Sequence, residues 1–399
     1  MSPRPRKRRQ YASGSVYQRS SDNRWVGTIE AGWTSTGARR RIVVTAKTEA
    51  EVKTKLKLKA RDLDRGETST SPRTTVKAWA ETWLEMTERT DRPKTHTTDL
   101  GAVRKYIVPV IGHKRLVQLA PADVRAVDAK VREGTGNSST VRRYHGTLIR
   151  MLKAAQAEGY SIPARVLDVK APAPAPTDRQ EVAEPDALAM LAVAATLPHG
   201  SRWLAAFLQG MRQGECLGLT WDEVDEDRLS VSWQLQALPY VDRSRKALGF
   251  RIPDGYEAKR LEKSLHLVRP KSRAGWRVIP LVPWMAESLA SWREVAPASP
   301  HGLVWPAQSG SPASARQDRL EWRALQDTVG VRHPSGRYYE LHEARHATAT
   351  LLMKLGVDEA VRIQIMGHSS IASTRGYEHV DVTQARKALE RVAERLQLG

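Results

Sequence analysis

Six residues in the second half of the chain have side chains suited to chemistry at a phosphate ester. They are Arg212, Lys271, His342, Arg345, His368 and Tyr377. Each type alone has an ordinary role, since arginine and lysine are most often solvated charges, and histidine and tyrosine are most often packing residues. Together they supply cationic donors, acid–base groups and a nucleophile. This set predicts cleavage of a phosphodiester bond with no cofactor and no metal ion.

The two arginines match the charge of a phosphodiester. Its non-bridging oxygens are negative, and their charge redistributes as the phosphorus becomes five-coordinate, so a catalyst without metal needs fixed forked donors. Arg212 and Arg345 provide two guanidinium groups. His342 lies three residues before Arg345 and therefore on the same helical face. It is predicted to hydrogen-bond to the phosphate or to accept the proton of the tyrosine.

The lysine and the tyrosine complete the reaction. The 5′ oxygen leaves poorly unless it is protonated. Lys271 suits a general acid and lies in the predicted hairpin "LHLVRPKSRAGWRVIPL", whose turn is predicted near Ser272 to Gly275. Tyr377 suits the nucleophile because its phosphoester can be reversed by the freed sugar hydroxyl. The sequence contains neither a GxxxxGK[ST] loop nor a GxGxxG turn, so the reaction is predicted to proceed without ATP.

The composition indicates a nucleic-acid partner. The chain has 64 Lys+Arg against 44 Asp+Glu, a formal net charge of +20, which favours the polyanions DNA or RNA as partners over an anionic membrane. No apolar run is long enough to span a membrane, and "MSPRPRKRRQ" lacks the apolar core of a secretory signal. Cys216 is the single cysteine, which excludes an internal disulfide. We expect a cytoplasmic protein, associated with the nucleoid in a bacterial host.

Residues 1–66 are predicted to form a small DNA-binding domain. A basic tail, Arg4 to Arg9, precedes three β-rich segments, "GSVYQR", "RWVGTIEAGW" and "RRRIVVTA", which predict a three-stranded antiparallel sheet. Thr48 and Glu51 form a capping box that opens a lysine-rich helix. Residues 1–65 carry 17 Lys and Arg against 6 Asp and Glu, over half of the net positive charge of the chain. Such a sheet can lie in a DNA groove.

Three further segments complete the expected multidomain α+β architecture. Residues 73–168 read as an all-helical domain, because Val76, Trp79, Ala80, Trp83 and Leu84 keep helical spacing, as do Val141, Tyr144, Leu148, Met151 and Ala155. An Ala/Pro linker follows at 169–181. Residues 182–399 are predicted to be mainly helical, with a small antiparallel sheet built from "RLSVSWQLQAL" and the lysine hairpin. Residues 239–264 match no motif.

Residues 182–399 resemble the catalytic domain of the tyrosine site-specific recombinases, the phage integrase family. That family has an arginine in a helix-turn context ending Gly-Leu-x-Trp, as in "MRQGECLGLTW", a lysine before Ile-Pro-Leu, then His-x-x-Arg, Gly-His and Tyr. Matched in order, Arg212 takes the first position with Glu215 as its supporting acid, and Lys271 is the hairpin lysine. His342 and Arg345 form the His-x-x-Arg pair, His368 is the second histidine and Tyr377 the nucleophile.

The resemblance extends upstream and implies partners. Residues 73–165 are similar to the core-site-binding domain of the family, and the N-terminal sheet and helix resemble the arm-binding domain of integrases. The likeness implies a 3′-phosphotyrosyl intermediate and strand exchange in a homotetramer on two sites in double-stranded DNA, the attachment core and arm sites. It also implies an excisionase and host DNA-bending proteins as accessory partners. The chain departs from the family at Ala344, where leucine is frequent, and at Ala347, where threonine or serine is frequent. Neither position is catalytic.

Three other functions compete with this interpretation. "HEARH" at 342–346 matches the zinc-peptidase motif, but the following segment "ATATLLMKLGVDE" offers no third histidine. A peptidase would also leave Arg212, Lys271 and Tyr377 without a role. A DNA-binding regulator with an inactive catalytic domain is the second, and an intact set of six candidates argues against it. A relaxing topoisomerase shares the tyrosine chemistry but lacks the two DNA-binding segments upstream. The C-terminal segment "VTQARKALERVAERLQ" is an amphipathic candidate for docking on a neighbouring subunit.

Overall fold

The structure is a computed structural model that describes residues 15–33, 38–64, 73–174, 176, 178–270, 276–367 and 382–396. Contacts divide the chain into a first unit, residues 1–88 and 95–175, and a second unit, residues 89–94 and 176–399. The mixed α+β class predicted from the sequence is confirmed. No helix among the described residues is long and apolar enough to cross a membrane.

The N-terminal part of the first unit is the predicted sheet and helix. Strands β1 (Ser15–Gln18), β2 (Trp25–Trp33) and β3 (Arg39–Ala46) are antiparallel in the order β1-β2-β3, and helix α1 (Glu49–Asp64) covers one face. The helix starts as its capping residue predicts, with Glu51 N donating to Thr48 Oγ1 at 3.3 Å. Ile29, Ala46, Val52 and Leu56 form the core. The basic tail and residues 34–37, between β2 and β3, lie outside the described residues.

The rest of the first unit is helical, as predicted. Its helices are α2 (Val76–Thr90), α3 (Pro93–Ala102), α4 (Val108–Ile111), α5 (Pro121–Thr135), α6 (Ser138–Ala157) and α7 (Ala164–Leu167), with a π-helical turn at Val103–Ile107 joining α3 to α4. All five predicted apolar positions of α2 are buried. In α6 the predicted positions are buried except Tyr144, which packs against the same core while partly exposed.

The second unit contains the site residues. Its helices are α8 (Glu184–Ala195), α9 (Ser201–Phe207), α10 (Gln213–Leu217), α11 (Pro283–Val295), α12 (Ala315–Val329), α13 (Leu341–Lys354), α14 (Glu359–Met366) and α15 (Val382–Arg395). Its strands are β4 (Arg228–Val231), β5 (Gln234–Ala237), β6 (Ala258–Arg260), β7 (Leu265–Val268) and β8 (Arg277–Pro280). Trp322 packs against Trp203 and Phe207 with ring centroids 5.6 and 5.5 Å away, so aromatic contacts join α9 to α12.

The strands around Lys271 pair differently from the predicted hairpin. Strand β8 pairs with β4, whereas β7 pairs with β5 and β6, so β7 and β8 belong to separate sheets. The hairpin pairing is therefore wrong for the described residues. The physical reason is a break at Ser232 and Trp233 in the predicted long strand 228–238, which leaves its two halves to pair with different partners. The predicted turn at 272–275 lies outside the described residues.

Residues 239–264, which matched no motif, include a long loop whose two ends are joined by backbone hydrogen bonds and aromatic contacts. Val241 N donates to Gly249 O at 3.1 Å, and Arg251 N donates to Pro239 O at 2.8 Å. The Phe250 ring lies 4.5 Å from the centroids of both Tyr240 and His266. The loop then leads into β6, which pairs with β7.

Helix α15 packs within its own unit. Ala385, Leu389 and Val392 belong to the core of the second unit, and Arg386 donates to Leu281 O. The apolar face predicted to dock on a neighbouring subunit is thus covered by the same chain.

Candidate active site

Arg212 is held by the turn that precedes α10. Gly210 adopts φ +57°, and a Cβ atom at this position would lie 2.5 Å from Met366 Sδ, so glycine is required on both conformational and steric grounds. Arg212 is the residue before α10 begins, and its backbone N donates to Glu215 Oε2 at 2.9 Å. Its side chain keeps 37% exposure. The backbone of Arg212 is therefore fixed, while its side chain remains partly accessible.

Glu215 lies between two arginines. Its Oε1 accepts from Arg212 Nη1 at 2.6 Å and from Arg277 Nη1 at 3.3 Å, and its Oε2 accepts from Arg277 Nη2 at 2.9 Å. The carboxylate is 2% exposed. Burial alone would raise the pKa of Glu215, but Arg277 first and Arg212 second lower it to about 2. Glu215 is thus charged at neutral pH, as a supporting acid should be.

Arg345 lies on α13 and is almost fully buried, with 2% exposure. Its guanidinium donates to the carbonyl oxygens of Gly210 and Met366. Burial, together with repulsion from Arg212 and Arg277, lowers the pKa of Arg345 to about 9. An anion bound beside Arg345 would relieve this repulsion, so the site favours a negatively charged ligand.

Three arginines converge on three successive carbonyl groups at the end of α14. Arg277 Nε donates to Ile365 O at 2.8 Å, Arg345 donates to Met366 O, and Arg212 Nη2 donates to Gly367 O at 3.0 Å. The last carbonyls of a helix lack partners within the helix, and the helix dipole places partial negative charge there. Cationic donors therefore fix the point from which the chain continues to His368.

His342 is one helical turn from Arg345 on α13. Partial burial of its ring, then His346 and Arg345, lower the pKa of His342. It is consequently neutral at physiological pH and able to accept a proton. The rings of His342 and His346 lie with centroids 4.7 Å apart.

The glutamate of "HEARH" is engaged elsewhere. Glu343 is 1% exposed, and its carboxylate accepts from Arg337 Nη1 at 2.8 Å, from Arg337 Nη2 at 2.6 Å and from Glu340 N at 2.8 Å. A zinc-peptidase glutamate must instead face a metal-bound water between the two histidines. The position of Glu343 does not fit that role.

The structure brings Arg212, Glu215 and Arg345 together and places His342 on the same helix as Arg345. The other predicted catalytic residues, Lys271, His368 and Tyr377, lie outside the described residues. Arg277 was missed by sequence reasoning. A single arginine at the start of the apolar strand "RVIPL" was its only signal, and nothing local reveals that it reaches Glu215, 62 positions earlier.

Comparison with known proteins agrees with this arrangement. The sequence profile of the Phage integrase family matches residues 255–384, which include five of the six candidates and leave out Arg212. An integrase of Saccharopolyspora erythraea is 26% identical over 408 aligned residues, covering 90% of this chain and 91% of its own length. Residues 255–384 of the chain carry a phage integrase family domain. With relatives named as integrases and tyrosine recombinases, the protein is a site-specific DNA recombinase.

Solved integrase structures share the fold. The Tn1549 transposon integrase in complex with transposon right end DNA matches with a TM-score of 0.60 and 17% identity, over 80% of this chain and 99% of that chain. A lambda integrase tetramer bound to a Holliday junction matches with a TM-score of 0.53 and 15% identity, over 94% of this chain and 99% of that chain. The predicted fold is thereby confirmed.

Proposed function

We propose that this recombinase cleaves and rejoins DNA one strand at a time through a 3′-phosphotyrosyl intermediate at Tyr377, and that it integrates a phage or mobile element. The observation that supports the proposal most directly is that Arg212 and Arg345 donate to the neighbouring carbonyl groups of Gly367 and Met366, while Glu215 holds Arg212. Fixed cationic donors of this kind stabilise the charge of a five-coordinate phosphorus.

In the proposed step, Tyr377 Oη forms a bond to phosphorus as the bond from phosphorus to the 5′ oxygen breaks. The phenol proton passes to a base, for which the neutral His342 is suited. Lys271 gives a proton to the departing 5′ oxygen. Arg212 and Arg345 hold the non-bridging oxygens, and His368 donates a further hydrogen bond to them. The reverse reaction, with a 5′ hydroxyl from a second strand, joins the exchanged strands.

The DNA-binding roles are proposed for separate segments. Residues 1–66 bind arm sites, residues 73–168 bind the core site, and 182–399 carry the chemistry, with 169–181 as the linker. The lambda integrase relative was solved as a tetramer on a Holliday junction, which supports a homotetramer here as the synaptic assembly. An excisionase and host DNA-bending proteins would set the direction of the reaction.

Covalent capture tests the chemistry. The protein is mixed in EDTA with a pool of nicked duplexes, and DNA that remains attached after denaturation is sequenced. Wild type should retain DNA and Tyr377→Phe should retain none. Tyr338→Phe is the matched control, because Tyr338 is a tyrosine of the same unit whose hydroxyl binds Asp327, and it should retain DNA like wild type.

Two results would overturn the proposal. Retention of DNA by Tyr377→Phe would assign the nucleophile to another residue. Absence of retained DNA for every form, in a protein that binds zinc and cuts peptides, would favour the metallopeptidase interpretation of "HEARH".

A further inference from the structure

We infer that Arg277 is a positioning residue of the reaction, which lets Glu215 orient Arg212 without cancelling the positive charge that Arg212 offers to the scissile phosphate. This inference rests on the proposed function. It assigns a role to a residue outside the six catalytic candidates, and four observations support it.

The first observation is the geometry of the carboxylate. Each oxygen of Glu215 accepts one bond from Arg212 and one from Arg277, at distances from 2.6 to 3.3 Å. Side-chain exposure is 2% for Glu215 and 3% for Arg277, against 37% for Arg212. Arg277 binds Glu215 through both Nη atoms and Ile365 O through Nε, so it acts on the site through these neighbours.

The second observation is the local charge. Arg212 and Glu215 alone form a neutral pair, which attracts a phosphate weakly. Arg277 adds one positive charge, so the three groups together keep a net charge of +1 beside the partly exposed side chain of Arg212. In a site with little water, a single charge has a large effect on the binding of an anion. Glu215 can thus hold Arg212 in place while the three groups keep a net positive charge.

The third observation is the connection made by Arg277. Arg277 is the first residue of β8, the strand that follows the segment containing Lys271. The Nε atom of Arg277 donates to Ile365 O at 2.8 Å. One side chain thereby joins three parts of the proposed site: the strand after Lys271, the helix start at Arg212, and the end of α14 before His368. Bidentate pairs of this kind set orientation as well as charge.

The fourth observation is a comparison within the same unit. Arg202 also forms a bidentate pair with a buried carboxylate, Asp318, at 2.9 Å for both bonds and with side-chain exposures of 3% and 4%. Its link to the start of α10 is indirect, through Asp318, which also accepts from Gln213 Nε2 at 2.8 Å. Arg202→Met therefore removes a buried ion pair of the same kind and provides the stability control.

The experiment compares two duplexes of the sequence recovered by covalent capture. One has the natural phosphodiester at the cleaved position, and the other a methylphosphonate, in which a methyl group replaces one charged oxygen. The rate of covalent complex formation is measured for the full-length wild type and for Arg277→Met, Arg277→Lys, Arg202→Met, Arg212→Ala, Tyr377→Phe and the double variant Arg277→Met/Glu215→Gln.

Arg277→Met should lower the rate on the phosphodiester by about tenfold or more, since losing one donor of a charge-stabilising set costs about a hundredfold and this residue acts indirectly. The penalty should shrink to within about threefold on the methylphosphonate, where less charge requires stabilisation. The double variant restores the net charge at Arg212 and should recover part of the lost rate. Arg277→Lys, which keeps the charge without the fork, should fall between wild type and Arg277→Met.

The inference is wrong if Arg277→Met is equally slow on both duplexes and the double variant is no faster, because a purely structural role predicts that result. Arg202→Met should show the same ratio of the two rates as wild type, whatever its stability. Two other results would contradict the proposed function itself. One is a covalent complex formed by Tyr377→Phe. The other is a loss of rate for Arg212→Ala that is equal on both duplexes.

Discussion

At the scale of single residues, the site is a set of buried charges whose protonation is fixed by their neighbours. Glu215 shows this most clearly. Its folded-state pKa of about 2 lies below the ordinary value of 4.5. Because the folded pKa is lowered, the ionised carboxylate stabilises the protein above about pH 4.5, and this contribution is lost as the pH falls towards 2.

Glu215→Gln should therefore destabilise the protein in a pH-dependent way. At pH 7 the loss is expected to be about 3 kcal/mol, from the lowered pKa and the arginines left without a carboxylate. The difference from wild type should decrease at pH 3. Urea unfolding at pH 7, 5 and 3, followed by tryptophan fluorescence, measures it. Asp242→Asn is the control, since Asp242 also has a pKa of about 2 but is bound by Ser244 and Arg245 at the surface, where ion pairs contribute little. A difference that is the same at every pH would contradict the expectation.

The sequence was sufficient to select candidate residues that stand in a local motif and that the fold brings near one another. Arg212, Glu215, His342 and Arg345 stand in short patterns, and the structure places all four on α10, α13 or the turn before α10. It was insufficient for Arg277, because its partners are 62 and 88 positions away and only the folded chain brings them together. Long-range ion pairs between buried groups leave no periodic signal in a sequence.

At the scale of secondary-structure elements, periodic patterns predicted the helices and strands well, and pairing was harder. Alternation and capping identified β1, β2, β3 and α1. Residues 228–238 were predicted as one continuous strand, because the residue types throughout this segment favour β-strand. In the structure the strand is interrupted at Ser232 and Trp233, and its two halves belong to different sheets. Which strand pairs with which depends on packing against helices, and strand propensity carries no information about that.

Helix α1 packs directly on the backbone of β2, which gives a prediction for Gly27. A Cβ atom there would lie 2.6 Å from both Leu56 Cδ1 and Val52 Cγ1. Gly27→Ala should therefore destabilise the sheet and α1 by about 1–3 kcal/mol through overpacking. Hydrogen exchange of peptides from β2 and α1 should become faster, while peptides from the second unit should exchange as in wild type.

Gly146 provides the matched control for the same substitution. It lies within α6, and a Cβ atom there would meet nothing within 4 Å. Gly146→Ala should leave exchange unchanged or slow it, since alanine is favoured over glycine in a helix by up to about 1 kcal/mol. Equal effects of the two substitutions would show that α1 does not depend on close approach to Gly27.

At the scale of the whole molecule, positive charge is concentrated at the N-terminal end. Residues 1–65 hold 17 Lys and Arg against 6 Asp and Glu within a chain of net charge +20. In the described sheet, one face packs on α1 through Ile42, Val44 and Ala46, and the opposite face presents Tyr17, at 51% exposure, and Val43, at 58%. Arg41 alternates with Ile42 and is exposed, so it belongs to the open face.

This arrangement predicts which charge matters for arm-site binding. If the open face lies against DNA, Arg41→Gln should lower the slope of log affinity against log salt by about 0.9, the effect of one lost phosphate contact. Lys57→Gln removes the same charge from an exposed position on α1, on the other side of the sheet, and should change the slope by much less. Affinity for a duplex carrying arm sites, measured from about 50 to 200 mM salt, gives both slopes. Equal losses would mean that the domain attracts DNA through its net charge alone, whereas a larger loss for Lys57→Gln would place the DNA against the helix.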